Sequence, residues 1–210
     1  MKVGDFFSGL KGWSEAFLQR GHDIITYDIG ESFEPDICGD ILDIYEFPKL
    51  DAALFSPPCH TVSTMRMGSN WTHQGEPKTE EASNARELFL KCIEIIEYTK
   101  PRFFIIENPR ARLRTLGYFD RYERRTITMC RYGSKRMKPT DLWGGFPKSL
   151  VLRDMCKNNR TPWSTKSNHI LAPRGSTSGT QGMDPSESAK IPFELSLEIC
   201  IAMEHDFQGV

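Results

Sequence analysis

Several features are missing from this 210-residue sequence, and each absence excludes a class of protein. No window approaches the roughly 18 consecutive apolar residues of a membrane-spanning helix. The opening residues, MKVGDFFSG, lack the basic and apolar regions of a secretory leader. Six cysteines are scattered without a CxxC pair, so neither a disulfide framework nor a zinc site is indicated. The sequence therefore predicts a cytoplasmic protein with no membrane partner and no metal.

Two nucleotide-binding signatures are also missing. There is no G-x-G-x-x-G element and no GK[ST] phosphate loop, which disfavours a dinucleotide-dependent oxidoreductase and a P-loop enzyme. One combination, Cys130, Cys156 and His169, has ligand chemistry suited to a metal, but its spacing is arbitrary, and we interpret these residues as unrelated.

Charge is nearly balanced overall but uneven along the chain. The net charge is −1, whereas residues 102–138 hold eleven Lys and Arg against three acidic residues, a local charge of +8. Such a run is often only a solvated face. On an otherwise acidic chain it is also typical of a surface that holds a polyphosphate backbone, and Arg110, Arg112, Arg114 and Lys138 are the candidates in it.

Short apolar runs alternate with helical patterns in the first half, which predicts an α/β fold with a largely parallel sheet. Strands are predicted over residues 2–7, 23–27, near 37, 52–55 and 102–106, with helices over 12–21 and 78–100. Two further strands over 124–133 and 138–147 are expected to be antiparallel additions, and a final helix spans 191–207.

Composition shifts to Gly, Ser, Thr, Asn, Arg and Pro over residues 148–188. An irregular segment of that length is uncommon in a compact domain unless it binds something, so a recognition segment is favoured over a plain linker. We therefore expect one catalytic domain built from residues 1–147 and 189–210, with 148–188 as a small target-recognition segment. We also expect a monomer.

Several predicted strands end in residues suited to binding a nucleoside. Gly9 and Gly12 form a strand-to-helix turn where backbone can approach a ligand. Asp28 and Asp40 follow the next two strands, where carboxylates accept hydrogen bonds from hydroxyl and amino groups. Because parallel strands end at one sheet edge, these residues predict an adenosine pocket.

Cys59 follows the fourth strand in the sequence LFSPPCH. Most lone cysteines are buried filler, but Pro57 and Pro58 stiffen this loop and end strand pairing, which favours a nucleophile held over the pocket. The fifth strand, FFIIEN, brings Glu107 and Asn108 to the same edge, and a carboxyl group there is suited to proton transfer.

Read in order, DFFSGLKGWSEAF, FSPPCHTVS, FFIIENPR, YGSKRMKPTDLWGG and AKIPFELSLEI resemble the successive motifs of the C5-cytosine DNA methyltransferase family. The resemblance runs from near residue 5 to near residue 200, and its Pro-Pro-Cys and Glu-Asn-Pro elements are the most specific. It implies an S-adenosylmethionine-dependent, Rossmann-like mixed sheet flanked by helices, acting on double-stranded DNA whose target cytosine is flipped out.

The resemblance also implies roles for residues. Cys59 attacks C6 of the cytosine, Glu107 assists at N3, and Arg136 or Lys138 takes the arginine contact to the base carbonyl. S-adenosyl-L-methionine is the implied cofactor, and the residues placed around it are Phe7, Ser8, Gly9, Gly12, Asp28, Asp40, Pro57 and Lys190. His60, Thr61 and Ser63 would lie on a loop that closes over the base, although His60 is equally well explained as a surface side chain.

The chain departs from the family pattern in three places. Lys11 stands where glycine is usual, KRMKP replaces the arginine-rich element, and Lys190 occupies a tail position near the amino-acid end of the cofactor. Lys190 raises the alternative of a carboxylated S-adenosylmethionine analogue. The recognition segment is short, with its candidate contacts at Arg160, Trp163, Lys166, Asn168 and Arg174, and such compactness is typical of phage or prophage genes.

Two other functions stay open from the sequence. A catalytically idle DNA-binding or decoy protein with the same fold is one, because the arginine element is altered. The same chemistry on RNA or on a nucleotide is the other, because the recognition segment is small.

Overall fold

The computed structural model describes residues 1–63, 67–134, 138–156 and 189–209, and within them seven strands form one sheet in the order β3-β2-β1-β4-β5-β7-β6. The strands are β1 Lys2–Phe6, β2 Asp23–Asp28, β3 Ile37–Cys38, β4 Ala52–Phe55, β5 Phe103–Pro109, β6 Glu123–Thr128 and β7 Pro139–Gly145. The first five strands are parallel, whereas β7 runs antiparallel to both β5 and β6. The predicted parallel sheet with an antiparallel addition is confirmed.

Four α-helices accompany these strands in the described ranges: α1 Ser14–Gln19, α2 Met67–Asn70, α3 Glu80–Thr99 and α4 Phe193–Phe207. α3 begins where the Thr79 hydroxyl accepts a hydrogen bond from the Ala82 amide at 3.2 Å, and it ends at Lys100 in a left-handed conformation. Four 3-10 turns also form, at Glu31–Phe33, Ile41–Asp43, Arg112–Thr115 and Met129–Tyr132.

Helices cover both faces of the sheet. α3 buries Phe89 and Ile95 in a cluster on one face, while α1 and α4 bury Phe17 and Ile199 on the other. All four residues of β4 are fully buried, which explains why Ala52–Phe55 is apolar without alternation. No helix of the described ranges is long and apolar enough to span a membrane.

β5 is longer than its sequence pattern predicts. Apolar residues end at Ile106, but the strand continues to Pro109 because β7 pairs with it antiparallel, with Glu107 opposite Leu142 and Asn108 opposite Asp141. Glu107 and Asn108 therefore project from a rigid strand and not from a loop.

Residues 148–156, which the sequence assigns to the recognition segment, pack on the sheet domain. Leu150 is buried and its carbonyl accepts a hydrogen bond from Arg125 Nη1 at 3.0 Å. Arg153 donates to Glu198 of α4 at 2.7 Å, and its amide donates to the Tyr132 hydroxyl at 2.8 Å. These contacts join the start of the predicted segment to the main body, and residues 157–188 lie outside the described ranges.

Candidate active site

The carboxyl ends of β1, β2, β4 and β5 meet at one edge of the sheet, together with the start of β7, and two adjoining cavities open there. We call the first the acidic cavity; it measures about 400 Å³, and its walls include Tyr27, Asp28, Asp40, Ser56, Asn84 and Leu88. We call the second the thiol cavity; it measures about 320 Å³, and its walls include Ser8, Gly12, Pro57, Cys59, Glu107 and Lys138. Phe7, Ser56 and Pro58 line both, so a single elongated ligand can extend from one into the other.

A larger groove of about 600 Å³ lies at the start of β5 and the end of β7, on the opposite edge of the sheet. Asp206 in its wall accepts hydrogen bonds from the Lys148 and Ser149 amides, and Arg102 donates to the carbonyls of Asp206 and Phe207. Its polar groups thus satisfy one another, and none of the predicted site residues lies there.

The loop that carries Cys59 is fixed on both sides. Ser56 continues the β4 pairing by donating its amide to the Phe6 carbonyl at 3.1 Å, and Asn108 Nδ2 donates to the Pro57 carbonyl at 2.9 Å. Asn108 is fully buried at the end of β5. This bond ties the Pro-Pro-Cys loop to the strand that carries Glu107, a role of Asn108 that the sequence did not reveal.

Glu107 faces a lysine across the thiol cavity. Lys138 Nζ lies 3.3 Å from Glu107 Oε1, and the two side chains are only 16% and 5% exposed. Lys138 reaches this edge because β7, which begins at the next residue, is antiparallel to β5 and starts where β5 ends. Lys138, predicted as a contact to the DNA backbone or to the base, therefore lines the thiol cavity.

These neighbours determine the state of the Cys59 thiol. Burial raises the pKa of Cys59 above its usual value; the nearby Lys138 lowers it, and Glu107 raises it again. Because burial dominates, the resting residue is a thiol at neutral pH. A reaction at Cys59 consequently needs a proton acceptor when its substrate arrives.

The two predicted glycines of the turn after β1 differ: the backbone is open at Gly9 and closely packed at Gly12. Gly9 adopts φ +45° with no atom within 4 Å of the place where a Cβ would lie, whereas a Cβ on Gly12 would lie 2.6 Å from the Ile191 backbone nitrogen. Lys11 adopts the left-handed conformation expected of glycine, with φ 54°, and its Nζ donates a hydrogen bond to the Glu34 carbonyl at 2.6 Å. The Lys11 departure therefore leaves the turn intact.

The predicted acidic side chains line the acidic cavity as expected. Asp28 accepts hydrogen bonds from the Gly9 amide at 2.8 Å and the Gly30 amide at 2.9 Å, which holds the glycine turn against β2. Asp40 accepts from the Leu42 amide at 3.0 Å and caps a 3-10 turn. Both carboxylates are thus positioned by backbone donors at the rim of the cavity.

A buried carboxyl group that sequence reasoning missed lies beneath the glycine turn. Asp5 is fully buried within β1 and accepts a hydrogen bond from Ser14 Oγ at 2.6 Å, while its other oxygen has no partner among the described residues. Burial raises the pKa of Asp5 to about 7. An acidic residue inside an apolar strand is the signal that could have identified it.

The predicted DNA contacts divide into three groups. Arg110 is exposed and directly follows the end of β5. Arg112 donates to the carbonyls of Thr72 and His73 at 2.7 and 3.0 Å, and Arg114 is paired through two nitrogens with the fully buried Asp141. Their guanidinium groups are engaged within the fold, which disfavours the phosphate contacts predicted for these two. The remaining predicted contacts fall outside the described ranges: Arg136, Arg160, Trp163, Lys166, Asn168 and Arg174.

Two further predictions are changed by contacts at the rim. Lys190 lines the thiol cavity, but its Nζ lies 3.3 Å from Glu15 Oε2, so its charge is already balanced.

Thr61, predicted on a closing loop, is fully buried, and its carbonyl accepts from Trp71 Nε1 at 3.0 Å. His60 is exposed and lines the thiol cavity, a position that fits both a closing loop and a surface side chain.

Side chains of metal-binding type come together elsewhere, at the junction of β2 and α4. Ligand atoms of His22, Cys200 and Glu204 lie within 4.8 Å of one another. Glu204 accepts from Arg20 and from His22 Nε2 at 2.8 Å, and the amino terminus lies 3.2 Å from His22 Nδ1. Positive groups therefore already satisfy this cluster. Cys130 and Cys156, which the sequence also offered as metal ligands together with His169, are in side-chain contact, whereas His169 lies outside the described ranges.

Known proteins resemble this chain over nearly its whole length. A probable DNA (cytosine-5)-methyltransferase of Frog virus 3 is 27% identical over 215 residues, covering 95% of this chain and 98% of the viral protein. The solved structure of the Entamoeba histolytica methyltransferase EhMeth superposes with a TM-score of 0.57, at 12% identity and with coverage of 99% of this chain and 98% of that one. The latter likeness supports the predicted methyltransferase fold.

A putative DNA modification methyltransferase encoded within an E. coli prophage matches more weakly, with a TM-score of 0.48 and 15% identity over 82% of this chain, which spans about half (52%) of that protein's length. The family model of the C-5 cytosine-specific DNA methylases matches residues 1–115, a range that includes both Cys59 and Glu107. Because that match covers more than half of the sequence, this chain belongs to the C-5 cytosine-specific DNA methylase family.

Proposed function

We propose that the chain transfers a methyl group from S-adenosylmethionine to C5 of a cytosine flipped out of double-stranded DNA. The observation that carries this proposal is the thiol cavity, where Cys59 after β4, Glu107 of β5 and Lys138 before β7 line one space beside the acidic cavity. A thiol next to a carboxyl group and an ammonium group suits covalent catalysis with proton transfer.

The two cavities fit the cofactor and the base together. Asp28 and Asp40 are suited to the ribose hydroxyls and the adenine amino group, while the glycine turn and the buried Ser8 hydroxyl, which has no partner among the described residues, border the thiol cavity. When bound, S-adenosylmethionine supplies an electrophilic methyl group. Phe7 and Pro58 line both cavities and so lie where its two halves would join.

Cys59 then activates the target ring. Its sulfur forms a bond to C6 of cytosine as its proton leaves, and Glu107 accepts that proton, directly or through water, and shares it with N3, where negative charge develops. The new enamine makes C5 nucleophilic. After methylation, a water molecule accepts the C5 proton as the C6–sulfur bond breaks. The sulfur leaves with the bonding electrons and regains the proton held at N3 through Glu107, which restores the aromatic ring and the Cys59 thiol.

Lys138 has two roles in this proposal. Its ammonium group balances Glu107 in the resting cavity and favours the thiolate of Cys59 as the proton moves. It also offers donors to the base carbonyl, a role that the family resemblance divides between Lys138 and Arg136.

DNA binding is assigned to the exposed Arg110 and to the segment that follows residue 156. We place that segment at residues 157–188 because residues 148–156 pack on the sheet domain. Of its four cations, Arg160, Lys166 and Arg174 are the predicted DNA contacts, and Lys157 is the fourth. The prediction of a compact phage or prophage enzyme is consistent with a viral relative of nearly the same length.

Trapping on a fluorinated base tests the proposal. Fluorine at C5 cannot leave as a cation, so DNA that contains 5-fluorocytosine, incubated with the protein and S-adenosylmethionine, should give a covalent adduct that survives denaturation. Cys59→Ser, which keeps the shape of the site, should give none.

The other functions predict other results. Binding to DNA without an adduct, under conditions that support methyl transfer by a related enzyme, would favour the idle DNA-binding protein. An adduct with RNA alone would transfer the same chemistry to RNA. Greater transfer from a carboxylated cofactor analogue would revive that alternative, which the Lys190–Glu15 pair disfavours.

A further inference from the structure

Asn84 is a polar wall residue of the acidic cavity whose side chain forms no hydrogen bond within the described part of the chain. The other polar groups there are largely occupied. Asp28 accepts one backbone amide on each oxygen, and Ser56 Oγ accepts from Trp13 Nε1 at 3.0 Å. Asn84 thus offers the cavity both a free donor and a free acceptor.

The packing of α3 against a 3-10 turn places Asn84 and Asp40 on the walls of one cavity. Asn84 projects from the first half of α3, and α3 packs against the 3-10 turn Ile41–Asp43 that Asp40 caps. Asn84 and Asp40 therefore line the same cavity from two different elements. Asp40 uses Oδ1 to accept from the Leu42 amide, which leaves Oδ2 available to a ligand.

Together these two side chains present two acceptors and a donor. The amino group of adenine has two hydrogens and lies between two ring nitrogens that accept hydrogen bonds. Asp40 can accept one hydrogen while the Asn84 carboxamide accepts the other and donates to a ring nitrogen, the bidentate pairing that asparagine makes with adenine. A 6-oxo purine would instead place its carbonyl oxygen against the Asp40 carboxylate, leaving two acceptors face to face.

We propose that Asn84 is a specificity-determining residue that, with Asp40, selects a 6-aminopurine nucleoside in the acidic cavity. The inference deepens the proposed function and rests on it, because the nucleoside is taken to be that of the methyl donor. Asn84 would contribute to binding equally before and during transfer, so it acts on affinity for the nucleoside and not on the chemical step.

Calorimetric titration of the full chain with S-adenosylhomocysteine and with its 6-oxo counterpart, S-inosylhomocysteine, tests this. The wild type should prefer the amino compound by at least about 50-fold. Asn84→Ala should weaken binding of the amino compound about 5- to 10-fold and reduce the preference, with KM for S-adenosylmethionine raised and kcat unchanged. Asp40→Asn, which can donate to a carbonyl, should reduce the preference most.

Ser83→Ala is the matched control, since Ser83 is exposed, adjoins Asn84 on the same helix and lies outside both cavities. It should bind both compounds as the wild type does. Asn84 is itself exposed, and alanine favours helix, so the variant should fold normally. If the wild type binds S-adenosylhomocysteine and Asn84→Ala binds both compounds with unchanged affinity, the role proposed for Asn84 is wrong and the proposed function stands. A wild type that binds neither compound overturns the proposed function as well.

Discussion

Two buried carboxylates on neighbouring strands each face a cation from residues 102–138, which we call the basic segment, yet their surroundings differ. Glu107 of β5 has one hydrogen bond in the described ranges, to Lys138 at 3.3 Å, and it borders the thiol cavity. Asp141 of β7 pairs with Asn108 in the strand register. It accepts hydrogen bonds from two nitrogens of Arg114, and one from the Thr126 hydroxyl at 2.7 Å.

The difference distinguishes an ion pair enclosed by the fold from one that faces a cavity. Asp141 is fully enclosed by its donors, so its charge holds the 3-10 turn Arg112–Thr115 against β6 and β7. Glu107 has one longer contact and keeps acceptor positions free toward the thiol cavity. Charge pairing by itself therefore does not identify a catalytic group; the unused bonding capacity beside a cavity does.

Glu107→Gln should have the largest effect on activity. The amide keeps the shape of the side chain but cannot pass a proton, so methyl transfer should fall by about 10³-fold. Chemical denaturation should show a change in stability of no more than about 1 kcal/mol, because the site faces a cavity. Near-normal single-turnover rates in this variant would remove Glu107 from the mechanism.

Asp141→Asn should affect stability and not chemistry. It leaves the Arg114 guanidinium without its counter-charge in a half-buried place, which should lower the free energy of unfolding by about 3 kcal/mol. The folded fraction, assayed well below its melting temperature, should keep methyl transfer within a few-fold of the wild type. A stable Asp141→Asn protein without activity would instead make both carboxylates functional.

Lys138→Met should change the pH dependence of transfer. Lys138 lowers the pKa of Cys59, so its removal raises that pKa further, and the rising limb of the profile of rate against pH should move to higher pH. At neutral pH we expect a loss of about 10- to 30-fold, partly recovered in alkaline buffer. Lys138→Arg retains the charge and is the control. An unmoved limb in Lys138→Met would show that its charge does not act on Cys59.

Arg110→Ala should have the smallest effect and should concern DNA alone. Its exposed side chain makes no contact in the described ranges, and the hydrogen bond from its amide to the Pro139 carbonyl survives the substitution. Affinity for DNA should fall about 5-fold, with the slope of log affinity against log salt smaller by about 1. Arg121→Ala, from the same basic segment but paired with Glu97, should leave binding unchanged and is the comparison.

The basic segment as a whole shows why a charge count overstates the number of cations available to a ligand. Its excess of eleven cations over three acids was real, but Arg112 and Arg114 bind groups distant in sequence, and Arg125 reaches both Glu123 and the Leu150 carbonyl. Partners 12 to 40 positions away cannot be identified from local composition. Only the folded chain shows which cations remain for a ligand.

The sequence by itself determined the strands, the edge at which they end and the residues delivered there. The continuous apolar run of β4, the glycine turn after β1 and the prolines before Cys59 are local signals, and each acts through backbone conformation or burial that neighbouring residues enforce. That is why Cys59, Glu107, Asp28 and Asp40 could be assigned to one sheet edge in advance.

The tertiary structure alone decided how these groups are coupled. The antiparallel direction of β7 brings Lys138 to Glu107, the length of β5 lets Asn108 hold the Pro57 carbonyl, and the packing of α3 brings Asn84 to the acidic cavity. Each is a contact between elements that are distant in the chain. Such contacts depend on strand register and helix position, which follow from the free energy of packing the whole domain and not from any short stretch of sequence.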